Sequence, residues 1–497
     1  MADNIGTMRI ALINPCPETD LQRHRYGVGH LGLGYVAACL LRDGHDVRGI
    51  DAKTHRLDLP TVVRLVRGIG PGLVGITAMT HEIVHAGKLA AAIKDALPEV
   101  VVMVGGPHTT ALPEETLVEF PAIDVAVRGE GEQTACELAA AVAGGSPRHM
   151  WSSIAGIAYR DDGQVVCNAA RPFLRNLDVL PFPAWERFPT PPNGWGLYAG
   201  RGCPFRCAFC QRVLGSRIRL RSVDDVMAEI EELEARIGQR TSWFQDETFG
   251  VNPRWTNELL DRLIERNRRR GTVWHWKANS RANLADCALY RKMKHAGCTM
   301  LDFGIESGNP SILRRIHKDI TLRQARQAIA AARAAGLRTN AFFIIGHPGE
   351  TWSTAMQTVR FAPLSGADTI AVGVMVPYPG TEIWDMARRG QWGYRLTSRN
   401  WQHYDKYFGN ALTSRHLTHR GMELLQSLTY LSFYLGTGRF RELLRFVSRF
   451  RREALQMARR LLGVQKARIP RTPHPAKALQ NARGRATSAT APVSPAG

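Results

Sequence analysis

RGCPFRCAFC, residues 201–210, places Cys203, Cys207 and Cys210 within eight residues, among glycine, proline, arginine and two phenylalanines. A loop this tight can present three thiolates to one metal centre while leaving a fourth position without a nearby protein ligand. Three thiolates at x3 and x2 spacing suit either zinc or an iron–sulfur cluster. Structural zinc takes four ligands, usually as paired C-x2-C elements, and no second pair exists here. Cys167, Cys287 and Cys298 stand alone in the sequence, the usual state of a small core residue. A [4Fe–4S] cluster held by three cysteines keeps one iron open for chemistry.

Outward from that loop, residues 196–390 alternate between apolar runs and helical patterns. Candidate strands are Gly196–Ala199, Ser242–Gln245, Val273–Ala278, Met300–Ile305, Arg338–Ile345 and Thr369–Val376. Two of the intervening helices open on capping boxes, Ser222 to Asp225 and Thr321 to Gln324. Gly297 and Gly336 fall where helix C-terminal glycines belong. Six such units predict an incomplete βα barrel, whose active site lies at the carboxyl ends of its strands. The cysteine loop follows the first strand directly and lands at that end.

Upstream, residues 8–145 show the same alternation, with short apolar runs at Met8–Ile13, Asp46–Ile50, Leu73–Thr77, Val100–Val104 and Val125–Val127. The pattern predicts a doubly wound, Rossmann-like parallel sheet binding a ligand beyond its strand ends. Those ends carry Asn14-Pro15, Thr77 to Thr80, Gly105-Gly106-Pro107-His108 and Arg128 to Glu132. Glycines there let backbone approach a ligand closely. No G-x-G-x-x-G opens the first helix, which disfavours a dinucleotide. Residues 146–195 hold a hairpin pattern around Asp162-Gly163 and a proline-rich run, and are read as a linker.

The 497 residues are 44% hydrophobic and 22% charged, enough for about three domains with ample core. The first residues lack a basic stretch followed by a long apolar run, so no secretory signal is expected. No window reaches the roughly 18 apolar residues of a membrane span. Nine cysteines with three in one cluster fit a reducing cytoplasm. The net charge of +21 is uneven: residues 411–497 hold 14 Arg and 2 Lys against 3 Glu. Residues 391–464 are read as a helical region. Within it Phe440, Leu443, Leu444, Val447, Phe450, Ala454, Met457, Ala458 and Leu461 recur at helical spacing among arginines. Such a helix packs on its own protein or lies on an anionic membrane surface. Residues 465–497 have almost nothing to bury and are expected to be a disordered basic tail.

Cys203-x3-Cys207-x2-Cys210, with Phe209 before the last cysteine, resembles the signature of radical S-adenosylmethionine (SAM) enzymes. FQDETFG (244–250), FGIESG (303–308), FFIIGHPGET (342–351) and VPYPGTE (376–382) resemble further stretches of that family, in order. The resemblance implies a [4Fe–4S] cluster on the three cysteines and SAM on the open iron. It places Phe209, Asp246, Ser280, Glu306 and Gly346 around SAM. HLGLGYVAACLLRDGHDV, VGITAMT, VGGPHTT and VRGEGEQT resemble the cobalamin-binding domain that precedes the barrel in one branch of the family. That implies cobalamin contacts from Gly32, Thr77, Thr80, Gly105, Gly106, His108, Gly129 and Glu130. The chain departs from cobalamin domains in general by lacking D-x-H-x-x-G: Asp43-Gly-His45 starts it, but the next glycine, Gly49, comes one residue late. The lower cobalt ligand is therefore left open. A tRNA-modifying branch carries a second three-cysteine cluster in its first domain, where this chain has only Cys16, Cys39 and Cys136.

The resemblance implies methyl transfer from methylcobalamin to an unactivated carbon or phosphorus centre, by way of a 5′-deoxyadenosyl radical. A radical cyclase or rearrangement enzyme of the same branch is the second reading, and a non-catalytic cobalamin carrier the third. The expected partners are a small-molecule substrate, lipid-like or a natural-product intermediate, and an external electron donor such as flavodoxin or ferredoxin. Nucleic acid is not expected, and the basic C-terminal region is a candidate for peripheral membrane contact.

Overall fold

The computed structural model describes residues 6–17, 27–406 and 409–449. Short apolar runs such as Leu73–Thr77 and Val125–Val127 form strands buried on both faces. The first seven make one sheet: β1 Arg9–Asn14, β2 Asp46–Asp51, β3 Leu73–Thr77, β4 Val101–Gly105, β5 Val125–Val127, β6 Ile157–Asp161 and β7 Gln164–Cys167. Their order is β2-β1-β3-β4-β5-β6-β7, with β1 to β5 parallel and the last two antiparallel. The pleat sends Ile10, Leu12 and Met103 against the helices Leu31–Arg42 and Glu132–Ala143, and Ala11, Ile13 and Val104 against Ile83–Ala96. The strand order reverses between β1 and β3, which opens a crevice at their carboxyl ends.

The hairpin read as linker is part of this sheet. β6 pairs with β5, Val127 opposite Ile157, so 157–167 widens the first layer instead of bridging two domains. The reason is the exposed edge of β5, which an adjacent antiparallel hairpin covers.

The second sheet is β10 Thr241–Phe244, β11 His275–Ser280, β12 Cys298–Glu306, β13 Arg338–Ile345 and β14 Thr369–Val374, all parallel and in that order. The expected first strand, Gly196–Ala199, is reduced to one parallel bridge between Leu197 and Phe244. Leu197 still donates to Trp243 O at 2.9 Å and accepts from Gln245 N at 2.8 Å, so six chain segments form the partial barrel. Between them, β8 Gly200–Arg201 and β9 Arg219–Leu220 pair antiparallel and close the base of the cysteine loop. Ser222 and Thr321 cap their helices as the sequence predicts, accepting from Asp225 N and Gln324 N at 3.1 Å each.

Residues 391–418 are mostly irregular, where a helical region was expected, and fold back over the first sheet. Trp401 and Tyr404 join the hydrophobic cluster of β1, β3 and β4, and Trp401 Nε1 donates to Glu119 at 2.8 Å. The helix His419–Gly436 then packs on β14 and on Trp352–Leu364, and a last helix runs over Phe440–Arg449. The remainder of the apolar stripe and the basic tail lie outside the described residues. No described helix is long and apolar enough to cross a membrane.

Candidate active site between the two sheets

The cysteine loop begins where Arg201 leaves β8 and turns sharply through Cys207 and Cys210, whose backbones share a 3.0 Å hydrogen bond. Cys203 Sγ lies 3.6 Å from Thr248 Oγ1, and Arg281, just past β11, donates to Cys207 Sγ at 3.4 Å. Burial raises the Cys210 thiol above its ordinary value, and charge on Cys207 and Cys203 adds to the rise. No three His, Cys, Asp or Glu side chains among the described residues sit close enough to hold a single metal ion. Thiols that converge more loosely suit a cluster, whose cysteines bind separate irons.

Arg281 was not anticipated from the sequence. It is buried, its guanidinium stacks 4.0 Å from the Phe205 ring centre, and its Nε and Nη2 have no partner. A buried guanidinium with two idle donors beside a thiol is a cradle for added negative charge.

The residues proposed around SAM gather on the barrel's strand ends with differing roles. Glu306 ends β12 in the left-handed region (φ 74°), conformational strain of the kind found at functional sites. Its carboxylate accepts from Lys318 Nζ at 2.8 Å, and its carbonyl accepts from His347 Nε2 at 3.3 Å. Burial lowers His347 to about 4, so its ring is neutral, with Nδ1 unpartnered. Phe209 packs 6.4 Å from His347 and 6.0 Å from Lys318 Nζ, bringing the cysteine loop against the Glu306 corner. Gly346 (φ 100°) donates to Glu350 Oε2 at 2.6 Å. Burial pushes Glu350 up to about 7 against these backbone donors. Ser280 closes β11 beside Arg281. Asp246 is turned inward instead: Oδ1 accepts from Ala199 N at 2.8 Å, which ties the turn after β10 to the segment leading into β8 and the cysteine loop, and burial pushes its carboxyl up to about 8.

On the first sheet, a slot of about 170 Å³ opens between the strand ends and the helices Leu31–Arg42 and Glu132–Ala143. Of the residues proposed for cobalamin, Gly32, Thr77, Gly105, Gly106, Gly129 and Glu130 line it. A side chain on Gly129 would meet nothing within 4 Å, so the glycine leaves real space. The apolar floor of Leu12, Val36, Met103 and Ala135 under that rim suits a flat, apolar portion of a larger ligand. Two proposed contacts do not reach it. His108 turns to the opposite face of the sheet, 4.9 Å from the Trp401 ring, where burial lowers it to about 3. Thr80 is also buried away from the slot. Glu130 lines the slot, but its carboxylate is taken by Arg201 Nη1 at 2.9 Å, Arg219 Nη1 at 2.9 Å and Leu174 N at 2.9 Å. Arg201 also donates to Glu132 at 2.7 Å. This buried network bolts the cysteine loop to the rim of the slot.

A wider cavity of about 1100 Å³ lies between the inner face of β10 to β13 and the strand-end loops of the first sheet. His30, Gly32 and Tyr198 line both spaces. His30 caps the helix Leu31–Arg42 by accepting from Leu33 N at 3.2 Å, and its Nε2 meets Thr77 Oγ1 at 3.3 Å.

A model of the radical SAM superfamily matches residues 197–362, and a model of the B12-binding domain matches residues 23–139. An uncharacterized methyltransferase of Pyrococcus horikoshii is 34% identical over 438 residues, covering 86% of this chain and 93% of its own length. The chain belongs to the B12-binding radical SAM enzymes. Its cofactors are accordingly a [4Fe–4S] cluster, SAM and cobalamin. The anaerobic magnesium-protoporphyrin IX monomethyl ester cyclase of Rubrivivax gelatinosus is 30% identical over 71% of this chain and 65% of its own. The fold is shared with the radical SAM methyltransferase TsrM from Kitasatospora setae, solved with cobalamin and cluster bound. The TM-score is 0.67 at 18% identity, over 86% of this chain and 91% of that one.

Proposed function

We propose that this radical SAM enzyme transfers a methyl group to an unactivated carbon (or phosphorus) centre of a small molecule held in the 1100 Å³ cavity. When bound, the cluster with SAM supplies a substrate-activating 5′-deoxyadenosyl radical and the corrinoid supplies the methyl group. Cys203, Cys207 and Cys210 would hold the cluster, with Arg281 balancing its charge. Glu306, Phe209, Ser280 and the Gly346 turn would orient SAM, while the glycine rim from Gly32 to Gly129 would seat the corrinoid. Asp246 and Glu130 would act by fixing the loop that carries the cysteines.

The observation that carries this reading is the shared wall. Because His30, Gly32 and Tyr198 border both spaces, a group in the slot adjoins a substrate in the cavity. Holding reactants side by side in this way is worth up to roughly 7–11 kcal/mol of barrier. The aromatic lining of Trp195, Trp243 and Phe342 keeps water from the reacting carbon.

Anaerobic reconstitution followed by iron counting, a deoxyadenosine assay and mass spectrometry with methyl-deuterated SAM tests the reading. Cys207→Ala is expected to lose iron and SAM cleavage while retaining cobalamin. Full cleavage by that variant would overturn the ligand set. Deoxyadenosine without a deuterated product would favour the cyclase-like reading, to which the Rubrivivax relative lends support.

The reading also requires an external one-electron donor of the flavodoxin or ferredoxin class. Peripheral membrane contact is proposed for the helix Phe440–Arg449, which exposes Phe440, Leu444 and Val447 beside Arg441 and Arg445. Co-sedimentation with anionic liposomes, unchanged on deleting residues 411–497, would sink it.

A further inference from the structure

The wide cavity has a charge that the proposed chemistry does not use. Its lining includes three lysines, Lys53, Lys277 and Lys406, against one carboxylate, Glu82. Lys53 is paired with Glu82, both of them buried. Lys277 differs. It rises from β11 with its Nζ 4.5 Å from the Trp243 ring centre, and among the described residues no carboxylate lies within ion-pair distance of it. A cation over an indole face gains about 0.5–2 kcal/mol but keeps its N–H donors free for another partner. The acid that senses Lys277 is Asp302 on the neighbouring strand. Burial chiefly raises that carboxyl, while the Asn340 hydrogen bond and Lys277 draw it down.

The place of Lys277 on its strand gives the charge a direction. His275, Lys277 and Asn279 alternate onto one face of β11, and Arg281 continues the alternation to reach Cys207. Four residues of strand, about 13 Å, thus separate the free ammonium from the cysteine loop. Trp195, Trp243 and Phe342 line the space around it.

We propose that Lys277 is the anchor for an anionic group on the substrate, and that the substrate is an elongated molecule with a carboxylate or phosphate at one end. Its apolar or aromatic body lies along the tryptophan wall, and its reacting carbon points toward the cysteine loop, on the order of ten ångströms from the anion. Asp302 lies on the adjacent strand β12, opposite Asn279, and Asn340 pairs with it from β13. The substrate class rests on the methyl-transfer reading, whereas the anion site can be measured without turnover.

The test is isothermal titration of the anaerobically reconstituted full chain, without reductant, using benzoate, phenyl phosphate and neutral benzyl alcohol. Wild type is expected to bind one or both anions roughly tenfold tighter than the alcohol, and the arm that wins distinguishes carboxylate from phosphate. Lys277→Met should erase the preference and Lys277→Arg should keep it. Lys277→Gln is the alternative should the Met variant fold poorly, with iron and cobalamin content checking the integrity of each. Equal affinity for anions and alcohol, or a preference that survives Lys277→Met, overturns the proposal. A deuterated-methyl product from an enzyme without anion preference sinks only this site. Anion preference without any methylated product sinks only the transferase reading.

Discussion

Arg281 donates to the Cys207 sulfur at 3.4 Å while two more of its guanidinium nitrogens are buried without partners. A cation placed there favours negative charge on the cysteine loop, and donors around a metal centre tune its affinity and potential. Arg281→Gln is expected to retain the fold while lowering iron occupancy or SAM cleavage by roughly 10- to 100-fold. Iron counting and electron paramagnetic resonance of the reduced protein check it. Wild-type iron content with an unshifted potential would count against the assignment.

Arg201 joins Glu130 and Glu132 in a network that water hardly reaches. Removing one member of a buried set strands the charge of the others, at about 3–5 kcal/mol. Arg201→Met should therefore lower stability by about that amount in chemical denaturation. A loss below about 1 kcal/mol would show that the acids find other partners.

Glu350 gives a dependence on pH whose sign is opposite to that of a salt-bridged carboxylate. Burial raises its folded value to about 7 from the ordinary 4.5. The native state thus holds a proton that the unfolded state has released. Stability falls as pH rises from 4.5 toward 7 and levels off above it, by roughly 3 kcal/mol in all. In Glu350→Gln, which still accepts from the Gly346 and His347 amides, this contribution should disappear, leaving melts across that window with a different slope from wild type by about that amount.

Gly106 stands at φ 119°, where an added Cβ would come 2.7 Å from Ala78 O. Backbone cannot step aside as a side chain does. Gly106→Ala is expected to cost at least about 1 kcal/mol and to weaken cobalamin retention on gel filtration, because the turn it strains forms part of the slot's rim. Undiminished retention would remove Gly106 from the corrinoid site.

Much of the fold, and the place of the cysteine loop in it, is legible because the signal is local. The three cysteines, the strand ends with glycine and the capping boxes each depend on neighbours within a few residues. His108 lies away from the slot for a reason of the same kind seen from the other side. A residue just past a strand can turn to either face, and the choice was settled by Trp401, far down the chain, which covers His108 from the opposite layer. Lys318 and Arg281 escaped notice because their partners, Glu306 and Cys207, lie on other elements. Lysine and arginine are ordinary surface residues until burial makes them exceptional. The missing first strand of the barrel has the same origin: Leu197 pairs with Phe244, but the chain must leave at once to form the β8 hairpin under the cysteine loop.

The Arg201 network has one more consequence, concerning time and not stability. Enzymes that assemble a site by closing one domain on another can set their pace by that motion. Here the loop carrying the thiols and the rim carrying the glycines are bolted by charges that could separate only at great cost. Any motion that widened the gap between the two halves would have to break these pairs, so they oppose it. A substrate of a length that fits the gap as it stands avoids that expense, and one that does not must meet it from its own binding.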